Sequence, residues 1–183
     1  MNEADFLVWA DGRPGRYELV DGFVMMQAGA TRAHERISKR VFVLLYAQID
    51  EMKFDVNKGD FGVRLGSGHR RGSILYPDVV VDLQSENSRE RATETPVVVI
   101  EVLSESTDFD YHAEKFTRYA RRDTLRRYIV FSQHETRAWI WTRSAEGSWS
   151  STPETIEGDA TIALPEIGAR INMASVYRSN ESK

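Results

Sequence analysis

Apolar and polar positions alternate along "RYELVDGFVMM" on both sides of Asp21 and Gly22, and strict alternation is the period of a half-covered strand. Asp-Gly is the pair that a two-residue type I′ turn favours, because both central positions take positive φ. The pattern predicts a hairpin with strands over 16–20 and 23–27. The period then changes. Ile37, Val41, Leu44, Leu45 and Ile49 recur at helical spacing behind Thr31, a capping residue type, which predicts the longest helix over about 32–52. His34 lies one turn before Ile37 and two before Val41, so it is expected on the inward side of that helix. "KFDVNKG" and "FGVRLG" predict a second hairpin, and "GSGHRRGS" a flexible loop.

"ILYPDVVVDL" and "PVVVIEVL" are continuous runs of Val, Ile and Leu, the pattern of strands covered on both faces, and they are expected at the centre of a sheet. "QSENSRERATET" between them reads as polar connection. An amphipathic helix follows over 110–122, with Phe116, Tyr119 and Ala120 on one face, and "RRYIVFS" returns as a strand. Strand, helix, strand implies a right-handed crossover and at least one parallel pair. "TRAWIWTR" and "GSWSSTPETI" predict an antiparallel meander, with Trp139 and Trp141 expected on opposite faces, and a short helix near 173–178 closes the chain. The sum is an α/β fold, a mixed sheet flanked by helices. At 183 residues, without repeats or an interdomain linker, one domain over 1–183 is expected.

Composition narrows the chemistry. The chain has no cysteine, which excludes disulfides and thiolate metal sites and leaves carboxylates and four histidines as metal donors. No apolar stretch approaches membrane-span length and the first residues lack a signal-peptide pattern, so a cytoplasmic protein with no membrane partner is expected. A net charge of −4 argues against a generally basic nucleic-acid binder. Its distribution is uneven. Lys115, Arg118, Arg121, Arg122, Arg126 and Arg127 face one acid, Asp123; Arg70 and Arg71 sit in the loop; and Arg32, Arg36, Lys39 and Arg40 face Glu35. Glu101, Glu105, Asp108 and Asp110 lie together with no basic residue among them. A solvated mixed surface accounts for such a pattern, and so does a cation site bordered by phosphate-binding segments.

Alternation decides where the acids point. Val97, Val99, Glu101 and Leu103 share one strand face, so Glu101 enters a layer where its charge is costly unless a cation or hydrogen-bond donors meet it. Asp78 follows Pro77, which lacks a backbone donor and marks a strand start or irregularity. If the two strands are neighbours, the carboxylates converge into a Mg²⁺ or Mn²⁺ half-site that water and a substrate phosphate complete. Lys115, in the first turns of the following helix, is placed to fold back over both acids. Two acids, a metal and a lysine form a device for hydrolysing phosphodiesters. Taken singly, each residue has a structural reading: Glu101 paired with an arginine, Asp78 a turn acid, Lys115 a solvent-facing lysine, and the run Arg118, Arg121, Arg122 a solvated face or a DNA-backbone stripe.

"PD" at 77–78, then "EVL" at 101–103 leading into "SESTDFDYHAEKF", resembles the PD-(D/E)xK nuclease superfamily and, within it, the Uma family of restriction-endonuclease-like proteins. "RYELVDGFVMM", "EKFTRYARRDTLRRYIVFSQHETRAWIWTR" and "ATIALPEIGARINMASVY" extend the likeness over nearly the whole chain. The resemblance implies a restriction-endonuclease-like three-layer α/β/α core, a mixed central sheet and added antiparallel hairpins. It also implies Asp78, Glu101 and the carbonyl of Val102 as ligands of Mg²⁺ or Mn²⁺. The superfamily's usual lysine position, two after the acid, holds Leu103; the lysine displaced to the helix corresponds to Lys115. Glu18 and His34 match family positions near the site, while Tyr111 stands where the family has aspartate, with Asp110 one place earlier. The function so implied is divalent-metal-dependent endonucleolytic hydrolysis of double-stranded DNA, with a homodimer suited to cutting both strands. The alternative is a non-catalytic nuclease-fold module that binds nucleic acid or a protein partner.

Overall fold

The computed structural model describes residues 1–66, 71–103 and 109–178; half of the predicted loop "GSGHRRGS", residues 67–70 with Arg70, and Glu105 and Asp108 of the acidic cluster lie outside the described residues. The chain opens with helix α1 (Glu3–Ala10), capped by Asn2, and enters β1 (Arg16–Val20) and β2 (Phe23–Gln27). Asp21 and Gly22 have φ of 49° and 85°, the two positive values of a type I′ turn, and the register pairs Val20 with Phe23 as expected. Helix α2 (Arg32–Tyr46) begins where Thr31 accepts the His34 N–H, a cap worth about 1 kcal/mol. It ends short of the expected residue 52. Gln48 Nε2 donates to the Leu44 carbonyl and ties the helix end to Arg170, satisfying groups that a longer helix would have used internally.

Then follow β3 (Phe54–Lys58), β4 (Gly62–Arg64), β5 (Ile74–Leu75), β6 (Val79–Leu83), β7 (Ala92–Thr93) and β8 (Pro96–Val102). Helix α3 (Phe109–Tyr119) leads to β9 (Arg127–Phe131), β10 (Arg137–Thr142), β11 (Glu154–Glu157), β12 (Thr161–Leu164), β13 (Ala169–Asn172) and α4 (Met173–Tyr177). The central sheet runs β11-β10-β9-β8-β6-β3. β8 and β9, joined through α3, are its parallel pair, and the other neighbours are antiparallel. A smaller sheet runs β2-β1-β5-β4-β7, and β12 and β13 form a separate pair.

Both faces of the central sheet are covered, which is why β8 is buried along its whole length. On one face Val98, Ile100 and Val102 join Ile37, Val41 and Leu45 of α2 and Met173 and Val176 of α4. On the other, Val80, Val99, Tyr128 and Val130 pack with Tyr119 of α3 and with Val63 and Leu75 of the smaller sheet. The result is the expected α/β architecture with a mixed sheet and helices on both sides. No helix among the described residues is long and apolar enough to cross a membrane.

Several expectations are corrected. β3 and β4 form no hairpin: β3 pairs with β6 in the central sheet, and β4 pairs with β5 and β7 in the smaller one. "ILYPDVVVDL" is not one strand but two, split at Tyr76-Pro77-Asp78 so that β5 and β6 serve different sheets. The connection after β6 contains β7. The helix predicted over 110–122 ends at Tyr119. Trp139 and Trp141 lie against one cluster with Phe116 and Tyr128, on the same face and not on opposite ones, because residues two apart on a strand point the same way.

β6 carries a second buried acid, Asp82, at a break in register with β8. Asn57 donates to it at 3.1 Å, yet burial dominates and pushes its carboxyl up to about 6. A raised carboxyl favours the folded state when protonated, so this contribution is full below the ordinary value of 3.8 and is lost as pH rises through about 6. Asp82→Asn removes that slope. Thermal melts should show the variant gaining on the wild type by up to about 3 kcal/mol between acid and neutral pH.

Candidate active site

Glu101 sits on β8 opposite Val130, on the face that α3 covers, and is 4% exposed. The crossover helix returns over it. Lys115, 7% exposed, places Nζ 3.2 Å from Glu101 Oε1 and 3.1 Å from Glu18 Oε1. Glu18 comes from β1 of the smaller sheet and also accepts the Tyr76 N–H at 3.0 Å. Tyr119, one helical turn beyond Lys115, donates its hydroxyl to Glu101 Oε1 at 3.2 Å. One ammonium thus bridges two buried carboxylates carried by different sheets.

Asp78 lies at the kink before β6. Its Oδ2 accepts the Val102 N–H at 2.8 Å, and its Oδ1 meets His34 Nε2 at 2.7 Å. His34 reaches it from the first turn of α2, on the inward side as expected, and its Nδ1 is buried with no hydrogen-bond partner among the described residues. These residues and the Val102 backbone line one cavity of about 790 Å³. Arg16, Asp21 and Arg118 also line it, with Phe23, Met25 and Met26 of β2. Asp110 is exposed and does not line it.

Burial and charge pull against each other here. Burial is the largest influence on Glu101 and outweighs the attraction of Lys115; with the Asp78 and Glu18 carboxylates adding to it, the carboxyl is pushed up to about 7. Burial also opposes the Lys115 charge, but Glu101 and Glu18 more than offset it and hold the ammonium above the ordinary lysine value. Burial of Asp78 is outweighed by His34 and the Val102 N–H, which hold its carboxyl below the usual range. His34 is raised in return: burial lowers it, and Asp78, Glu101 and Glu35 overcome that. Lys115 and His34 therefore face three acids.

All five candidate side chains, Glu18, His34, Asp78, Glu101 and Lys115, meet in this cavity. Sequence reasoning missed the Tyr119 hydroxyl, although a tyrosine four residues after Lys115 shares its helix face and a buried hydroxyl needs a partner. It also missed the Tyr76 N–H, which carries no side-chain signal. Among the described residues no group of three His, Asp or Glu is placed to hold a metal unaided. A cation would rely on Asp78 and Glu101, with backbone carbonyl, water and phosphate completing its shell, which suits the sparse protein ligation of Mg²⁺. The excess of buried acid over base fits such a guest.

A family model described as "Uma2: Putative restriction endonuclease" matches residues 3–174. The chain belongs to the Uma2 family. Two uncharacterized proteins of Synechocystis sp. are similar to this Uma2 chain. One is 22% identical over 179 residues, covering 97% of this chain and 92% of that protein. The other is 25% identical over 157 residues, covering 83% and 86%. The fold matches a crystal structure from Anabaena variabilis titled a "putative nuclease belonging to DUF820", with a TM-score of 0.71. That match covers 94% of this chain and 96% of the other at 11% identity.

The bridge sets a stability prediction. Lys115→Met leaves Glu18 and Glu101 buried without their cation and should cost about 3–5 kcal/mol near pH 8. Because the raised Glu101 carboxyl accepts a proton below about 7, the deficit should shrink near pH 5. Urea titrations at the two pH values measure it; equal deficits would mean that the carboxylates do not carry the effect.

Proposed function

We propose that this Uma2 protein is a divalent-metal-dependent endonuclease that hydrolyses DNA phosphodiester bonds within one domain spanning 1–183. The observation that carries the proposal is the Lys115 bridge between Glu18 and Glu101 in the cavity that also holds the Asp78 carboxylate. Family membership and a structural neighbour titled a "putative nuclease" support the same reading.

In this reading Asp78, Glu101 and the Val102 carbonyl hold Mg²⁺ or Mn²⁺. Such a cation, when bound, polarises the phosphate and makes its water more acidic. The protein's own groups position the reactants. Lys115 has three donors, two of which face Glu18 and Glu101, and the third steadies the attacking water or the charge developing on phosphate. Glu18 holds Lys115 in place from the neighbouring sheet. His34 fixes the Asp78 carboxylate with one oxygen toward the ring and one toward the Val102 N–H. Tyr119 orients Glu101. A homodimer acting in the cytoplasm on double-stranded DNA would bring two such sites to one duplex.

The second reading is a non-catalytic nuclease-fold module that binds nucleic acid or a protein partner through its basic segments. The two differ in one assay. Supercoiled plasmid incubated with Mn²⁺ or Mg²⁺ should be nicked or linearised, with no cutting in chelator. Glu101→Gln and Asp78→Asn should each lower the rate by about 100-fold or more. Equal residual activity in wild type and Glu101→Gln would favour the non-catalytic module.

A further inference from the structure

Two basic segments stand out in the chain, Arg32–Arg40 and Lys115–Arg127, and the structure separates them sharply. In the second, nearly every cation already has an internal partner. Lys115 bridges Glu18 and Glu101, and Arg118 pairs with Asp21 and Glu114. Arg122 donates to the Arg64 carbonyl, Arg126 to that of Asp123, and Arg127 meets Glu166. Arg121 is the member whose side chain forms no hydrogen bond or ion pair with the described residues, its backbone N–H donating to the Arg118 carbonyl. The charge that looks available over residues 115–127 is mostly closing the fold.

α2 is the opposite case. Arg32, Arg36 and Lys39 are exposed and form no ion pair or side-chain hydrogen bond with the described residues. Their spacing of four and three puts them on one face, away from the buried Ile37, Val41 and Leu45. Glu35, the acid among them, is already paired with Lys58 at 3.0 Å. Arg40 donates to the Val176 and Arg178 carbonyls and keeps its positive charge beside the row. Further along the same face the helix presents exposed Val43 and Tyr46, so the cations are confined to its first half. That is the end at which His34 turns inward to Asp78.

We infer that the outer face of α2, through Arg32, Arg36 and Lys39, is the track for the phosphate backbone of duplex DNA leading to the cavity. The inference rests on the nuclease reading for the identity of the polyanion. The row spans about 10 Å along the helix axis, while each DNA strand carries a phosphate per about 3.4 Å of its axis, so three cations match about three phosphates. The cavity itself sets Glu18, Asp21, Asp78, Glu101 and Glu114 against Arg16, Lys115 and Arg118, so acids outnumber these cations and cations outside it would add to its hold on a phosphate backbone. Unpaired surface arginines meet phosphate without first breaking an internal bond, as the paired arginines of residues 118–127 would have to.

The test is fluorescence anisotropy of a short labelled duplex with the full chain in chelator, so that binding is read without cutting, across about 50–200 mM salt. Combined Arg32→Gln, Arg36→Gln and Lys39→Gln should weaken binding by tenfold or more. It should also lower the slope of log affinity against log salt by about 2 to 3. Arg121→Gln should change the slope by about 1 at most, and unchanged thermal midpoints confirm that both variants are folded. A wild type with no salt-dependent DNA binding, or a triple variant with the wild-type slope, overturns the inference. Plasmid cleavage in Mn²⁺ is scored separately. A slope that depends on α2 without any cleavage would retain the track and reject the nuclease.

Discussion

The constraint on which the rest depends is the burial of the Glu101 carboxylate in the middle of a fully buried strand. A lone carboxylate there carries a desolvation penalty of several kcal/mol, so the fold must deliver a counter-charge to it. Lys115 does so, and several features follow from that need. α3 has to lie over this face of β8 and not the other. Tyr119, one turn on, supplies a second donor, and β1 must approach closely enough for Glu18 to share the ammonium. Replacing the cluster with hydrocarbon would in general give an easier core, so its presence is better explained by chemistry than by stability.

What was legible in the chain was what short-range rules control. The first hairpin followed from one Asp-Gly pair whose two positive φ values leave few alternatives. The meeting of Glu101 and Lys115 followed from a crossover that brings a helix back across the strand before it. Pairings between distant segments were not legible. "KFDVNKG" and "FGVRLG" are adjacent and alternate, yet they part into different sheets because their partners, β6 on one side and β5 with β7 on the other, lie further along the chain. Tyr76 likewise reaches Glu18 through a backbone N–H, which any residue but proline would offer.

Net charge was the least informative property. Counting put the stronger positive segment in residues 115–127, but a count cannot tell a cation that holds the fold from one that faces solvent. Only the partners do so. Once Lys115, Arg118, Arg122 and Arg127 are matched with their acids and carbonyls, the unmatched charge moves to α2.

The kink at Tyr76-Pro77-Asp78 has a mechanical side. It is the seam at which one run of chain leaves the smaller sheet as β5 and enters the central sheet as β6, and two acids of the cavity are fastened beside it. Glu18 is held by the Tyr76 N–H, while Asp78 is held by the Val102 N–H of β8. The two sheets therefore cannot slide past one another without pulling these carboxylates apart. Relative motion of the sheets and the spacing of the acids become one coordinate, and anything that wedges or clamps the seam also sets the width of the site.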